Sequence, residues 1–233
     1  MYIYFFIVKI KFIVVYGILG GKDVIISDAP FQVSYIDTCG AVLVHKKWAL
    51  TTAHCGPEGT YIRIGSRHRL KGPKAQVLSH FIHPKYQLHH EFDYDVQLLK
   101  LFRGLHFGEL VGDVKVCGGD CGRELKVFGW GYSKEKGEYN DVLQGIEIKL
   151  VHIEECQEVK QPWYNHTLTS RMFCAGGRGK DACQGDSGGA AISSGLLIGL
   201  ASFGYGCGRN LPGVYTNVSH GDIRGWISDH TNV

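Results

Sequence analysis

The 233-residue chain has no paired CxxC knuckles, no large excess of charge of either sign and few long apolar patterns at helical spacing. Each absence removes a class of protein. The eight cysteines stand apart, without zinc-site spacing, and suit disulfides formed in an oxidising compartment better than a metal. A formal net charge of +3 is too small and too dispersed for a nucleic-acid partner. The one local basic run, Arg63, Arg67, Arg69, Lys71 and Lys74, reads as a solvated loop. No internal repeat, low-complexity segment or linker marks a second independent domain.

A long uninterrupted apolar run is missing too. Met1 to Gly17 is almost wholly apolar, but Lys9 and Lys11 interrupt it, and it falls short of the roughly 20 residues that a spanning helix needs. Residues 1–17 therefore read as a removed signal peptide, with its charges in mid-segment, and not as a stable membrane anchor. Val15 and Gly17 resemble the small-x-small pattern before a cleavage site, which would expose Ile18.

What the chain does have is short alternating segments. Phe31, Val33 and Tyr35 face one way and Gln32 and Ser34 the other, as in a half-buried strand. Further strands are expected at Ala41 to Val44, Trp48 to Thr51, Tyr61 to Ile64, Gln76 to Ile82, Val96 to Leu101, Lys126 to Trp130, Leu143 to Leu150, Leu196 to Ser202 and Gly213 to Asn217. Gly-rich or polar turns separate most of them, the spacing of an all-β barrel or sandwich. Only the end reads as helix: Ile223, Trp226 and Ile227 recur at spacings of three and four, with Ser219 as the expected N-cap.

Three stretches carry chemistry. Lys180 to Ala190 contains Gly185-Asp186-Ser187-Gly188-Gly189, which is either a plain turn or a nucleophile whose neighbouring amides stay uncovered beside an oxyanion. His54, in Thr52-Ala53-His54-Cys55, ends a strand, where a histidine is an ordinary surface residue or a general base. Asp95, in Asp93-Tyr94-Asp95-Val96, either ends a turn or accepts the Nδ1 proton of a catalytic histidine.

His54, Asp95 and Ser187 occur in that chain order, each within its own local motif. With Ile18-Leu19-Gly20-Gly21, Gly129-Trp130-Gly131, Ser202-Phe203-Gly204 and the terminal helix, they make the chain from Ile18 to Val233 resemble a trypsin-like serine protease of the chymotrypsin fold, of the insect trypsin type. The resemblance implies an all-β fold of two six-stranded antiparallel β-barrels with a C-terminal α-helix, over a peptidase domain spanning 18–233. It implies a secreted serine endopeptidase that acts through an acyl-enzyme. Ser187 would attack, His54 would carry the proton, Asp95 would orient His54, and the amides of Gly185 and Ser187 would receive the oxyanion.

The resemblance assigns further roles. Asp181 would select Arg or Lys at the base of the specificity pocket, with Gly204 and Gly213 as its open walls and Ala182 favouring Arg. Ser202 would hydrogen-bond the triad aspartate, and Phe203 would line the substrate cleft in place of the commoner Trp. Activation would pair the freed α-amino group of Ile18 with Asp186, although Gly17 stands where trypsin precursors usually carry Arg or Lys.

Carried-over bridges are Cys39 to Cys55, Cys156 to Cys174 and Cys183 to Cys207; Cys117 and Cys121 either close a small loop or pair with another chain. A further family bridge would fall on Leu125 and Ser193 and is absent. No cofactor or metal is expected: the segment from Ser66 to Lys71 is too basic for calcium, and His80, His83, His89 and His90 read as a polar loop. The expected partners are protein or peptide substrates with Arg or Lys at the cleavage site and protein protease inhibitors, with the enzyme a monomer. Asn165 is the favoured glycan acceptor over Asn217. The alternative to an enzyme is a catalytically silent, protease-like binding or regulatory protein.

Overall fold

The computed structural model describes residues 18, 20–133, 137–161, 164–177, 180–207 and 211–233. The signal-peptide reading of 1–17 and Leu19 of the first motif lie outside the described residues. In chain order the strands of the first half are β1 (Lys22–Asp23), β2 (Gln32–Tyr35), β3 (Cys39–His45), β4 (Trp48–Thr51), β5 (Tyr61–Arg63), β6 (Lys74–Ile82) and β7 (Gln97–Leu101). Strands β2 to β7 close an antiparallel barrel in the order β2-β3-β4-β7-β6-β5. The second half runs β8 (Glu124–Gly129), β9 (Gln144–Val151), α1 (Ile153–Gln157), β10 (Met172–Ala175), β11 (Ala190–Ser193), β12 (Leu196–Phe203), β13 (Gly213–Asn217) and α2 (Gly221–Thr231). Here β9-β10-β13-β12-β11-β8 closes through the β8–β9 pairing into a second six-stranded barrel, and β1 adds to the outside of β9.

Period-two alternation sends residues of one strand into two different cores. Along β3, Ala41 and Leu43 enter the first barrel with Val33, Ala49, Ile62 and Leu99. Val42 and Val44 point the other way and pack with Trp48, Leu50 and Leu98 against Phe128, Leu200 and the helix residues Ile223 and Ile227. The inter-barrel layer is thus as apolar as the barrels themselves. Truncating a fully buried residue such as Leu99 to Ala should cost about 2–5 kcal/mol.

All six strands of the first barrel are those expected from sequence. In the second, β10 and β11 were not anticipated. All four residues of β11 are buried, so no polar face alternates with an apolar one, and β10 is a four-residue strand paired on both edges. The helix starts one residue later than expected. His220, not Ser219, is its N-cap, and its ring accepts from the Asp222 amide.

The basic run is also not a freely solvated loop. Arg63 pairs with Asp37 at 3.1 Å, Lys74 lies over the Tyr61 ring and Arg69 over the Tyr139 ring. Four disulfides form: Cys39–Cys55, Cys156–Cys174 and Cys183–Cys207 as carried over, and Cys117–Cys121 within its own short loop.

Candidate active site

The catalytic candidates converge between the barrels. His54 sits in a single 3-10 turn, Ala53–Cys55, where β4 ends, and the Cys39–Cys55 bridge ties that turn back to β3. Asp95 leads into β7 and is fully buried. Ser187 comes from the second barrel, in the turn before β11. Its carbonyl accepts the Gly40 amide of β3 at 2.8 Å, so a first-barrel strand fixes the height of the nucleophile.

The Ser187 hydroxyl lies 2.9 Å from His54 Nε2, and His54 Nδ1 lies 2.7 Å from Asp95 Oδ2. The other carboxylate oxygen accepts the His54 backbone N–H at 2.9 Å. Two groups of the second barrel complete the hold: Ser202 donates to Asp95 Oδ2 at 2.5 Å and Thr216 to the Asp95 carbonyl at 2.8 Å. The relay runs from a partly exposed Ser187 through an imidazole that is a quarter exposed to an Asp95 carboxylate that is dry. A buried carboxylate with these donors fixes the ring with Nδ1 protonated and leaves Nε2 to accept a proton from the hydroxyl.

Two glycines shape the nucleophile turn. Gly185 has φ +94°, and a Cβ there would come within 2.3 Å of the Tyr139 ring. Gly188 has φ +76°, and a Cβ there would meet the Gly40 carbonyl at 2.2 Å. Among the described residues the amides of Gly185 and Ser187, in this tight path, donate to no backbone carbonyl. Asp186 beneath them is fully buried and accepts the amides of Gly131 and Cys183, each at 2.8 Å. Burial pushes its carboxyl up from an ordinary 3.8 to about 7, against the pull of those two amides. Ile18 is buried in the core of the second barrel, with its nitrogen still an amide of the uncut chain, and no cation faces Asp186 among the described residues.

Beside Ser187 opens a cavity of about 320 Å³, its walls including Ala182, Gln184, Gly204, Gly206, Gly213 and Tyr215. Asp181 is buried behind it, and a Cβ on Gly213 would lie 2.9 Å from Asp181 Oδ1. The Cys183–Cys207 bridge joins the turn to the loop after Phe203. Phe203 stacks on Phe92 at 4.5 Å, and Phe92 meets His54 edge-on at 5.8 Å. Behind Gly204 the buried Tyr164 donates through its hydroxyl to the Pro212 carbonyl, 2.7 Å away. Sequence reasoning missed Phe92 and Tyr164. A lone aromatic three residues before Asp95, or in a loop, carries no periodic signal.

A hydroxyl, an imidazole and a buried carboxylate linked in sequence define a hydrolase that works by acyl transfer through serine. The profile of the trypsin family matches residues 18–227. The chain is 36% identical to a trypsin of Phaedon cochleariae over 93% of this chain and 89% of the relative, and 35% identical to trypsin 5G1 of Aedes aegypti over 91% and 84%. A vitellin-degrading protease of Bombyx mori is 36% identical over 91% and 85%. The structure of mouse neuropsin, described as a serine protease expressed in the limbic system, superposes with a TM-score of 0.83 at 30% identity, over 91% of this chain and 99% of that one. The chain belongs to the trypsin family: it is a serine endopeptidase, acting on protein substrates.

Proposed function

We propose that the protein is a secreted endopeptidase that cleaves after Arg or Lys, with Ser187, His54 and Asp95 as its triad. Ser187 Oγ attacks the peptide carbonyl as its proton passes to His54 Nε2, and Asp95 stabilises the imidazolium. The oxyanion forms against the amides of Gly185 and Ser187, where losing one donor typically costs about a hundredfold to a thousandfold in turnover. His54 then gives its proton to the departing amine, and water repeats the sequence to release the acid. The observation that carries the basic preference is the approach of Asp181 to the bare Gly213 wall. A buried carboxylate there is reached only by a long side chain that brings its own positive charge.

Secretion follows from reading residues 1–17 as a signal peptide, and the four disulfides suit that destination. In this reading activity begins when cleavage after Gly17 frees the Ile18 amino group to pair with Asp186. The test is to purify the secreted form, sequence its N-terminus and measure hydrolysis of matched Arg, Lys and Phe peptide amides, with Ser187→Ala as control. An Ile18 start with hydrolysis that Ser187→Ala abolishes, and that favours Arg and Lys over Phe, is expected. An Ile18 start without Ser187-dependent hydrolysis would overturn the triad, and a preference for Phe would overturn the role of Asp181.

A further inference from the structure

Asp95 is preceded by a residue in an unusual conformation. Tyr94 has φ +52°, in the left-handed region, which a bulky L residue occupies only where its surroundings hold it there. The Val96 amide bonds back to the Tyr94 carbonyl at 2.7 Å, so the chain folds tightly around Asp95. The direction in which Asp95 presents its carboxylate is therefore set by whatever holds residues 93 and 94.

Backbone bonds tie Asp93 to His90 and Gln87 of its own loop, but the side-chain hydrogen bonds that hold the two residues come from outside the first barrel. Asp93 is fully buried, and Arg171, in the turn just before β10 of the second barrel, grips both its oxygens: Nε donates to Oδ1 at 3.1 Å and Nη2 to Oδ2 at 2.8 Å. Thr169 adds a third donor at 2.9 Å. The same guanidinium lies 4.9 Å from the centre of the Tyr94 ring. The Tyr94 hydroxyl donates to Asp222 in the first turn of α2 at 2.8 Å, and its ring stacks on His83 at 4.6 Å. The polar-loop reading of His83 fails here, because the side chain is buried between Tyr94 and Trp226. Lys85 is the remaining charge nearby, 3.5 Å from Asp222.

We propose that Arg171 is a positioning residue for catalysis, acting from the second barrel through Asp93 and Tyr94 to aim Asp95 at His54; this rests on the triad reading above. The geometry makes the tie more than a brace. Ser187 belongs to the second barrel while His54 and Asp95 belong to the first, so the 2.9 Å hydroxyl–imidazole contact depends on how the two barrels are registered. Arg171 fastens one barrel to the other two residues from Asp95. A fork of two N–H groups fixes direction as well as distance, which a point charge cannot do.

Arg171→Lys is the decisive variant, because it keeps Asp93 compensated while losing the fork. The neutral pair Asp93→Asn/Arg171→Gln, which buries no charge, is the second. Active sites are counted by a burst titrant of Ser187, so that only folded, competent enzyme enters kcat. A slight swing of Asp95 weakens its support of the imidazolium, so kcat per titrated site should fall about tenfold with KM within about twofold. The acid limb of kcat/KM should move to lower pH, since a less supported imidazolium gives up its proton more readily. Lowered thermal stability with kcat per site and the acid limb unchanged in both variants would overturn the proposal. Wild-type hydrolysis that survives Ser187→Ala would instead overturn the triad reading beneath it.

Discussion

Asp95 Oδ2 is shared by two groups: the His54 ring at 2.7 Å and the Ser202 hydroxyl at 2.5 Å. Ser202 belongs to β12 and therefore holds the first-barrel aspartate from the second barrel. Hydrogen bonds to charged groups contribute about 1.5–3 kcal/mol, and each 1.4 kcal/mol is a factor of ten. Ser202→Ala should lower kcat by about tenfold and leave KM for a small Arg amide nearly unchanged, because the hydroxyl acts on Asp95 and not on substrate. A raised KM with unchanged kcat would show that Ser202 serves the substrate.

Asp181→Ser tests specificity without touching the relay. Leaving a buried substrate guanidinium unpaired costs about 2–5 kcal/mol, so kcat/KM for Arg and Lys amides should drop by about thirtyfold to several thousandfold, while the rate on a matched Phe amide falls little. A basic preference that persists would place the selecting charge elsewhere.

Most of the fold and much of the site were legible in the sequence for separable physical reasons. The first barrel was readable because turns with Gly and polar residues punctuate each of its strands. The nucleophile turn was readable because glycines that must stay bare leave a local signature: Gly185 and Gly188 both sit at positive φ against neighbours that exclude a Cβ. What was hidden depends on the fold closing. β11 is dry on every side, and Phe92 reaches His54 only once the loop before β7 is in place. His83 read as one of several loop histidines because nothing local reveals that Tyr94 and Trp226 enclose it.

The two glycan acceptor sequences are told apart by what their side chains already do. Asn217 donates through Nδ2 to the Ser170 carbonyl at 3.4 Å and accepts the Ser219 hydroxyl at 2.6 Å, so both ends of its amide are engaged. Asn165 is exposed on a loop, next to Tyr164. Protein secreted from a eukaryotic host should carry one N-linked glycan. Enzymatic release should shorten its apparent mass once, and Asn165→Gln alone should abolish the shift. A shift that survives Asn165→Gln and disappears with Asn217→Gln would reverse the assignment.

Asp186 gives the uncut chain a pH dependence that activation should erase. Its carboxyl is at about 7 in the fold against an ordinary 3.8, so between those values the folded uncut chain holds a proton that the unfolded chain has lost. Stability is then fully present below about pH 4 and falls as pH rises toward 7; about three pKa steps at 1.4 kcal/mol each make the loss roughly 4 kcal/mol. A free Ile18 ammonium beside the carboxylate removes the cause, because the buried charge acquires a partner and its pKa drops. Thermal unfolding of the Ser187→Ala protein, which cannot digest itself, should show this across pH 4–8. With residues 1–17 still attached the Tm should decline toward neutral pH relative to the form beginning at Ile18, and Asp186→Asn should flatten the difference. Parallel curves for the two forms would mean that Asp186 is not the acceptor of the new amino group, and activity would then have to begin without that pairing.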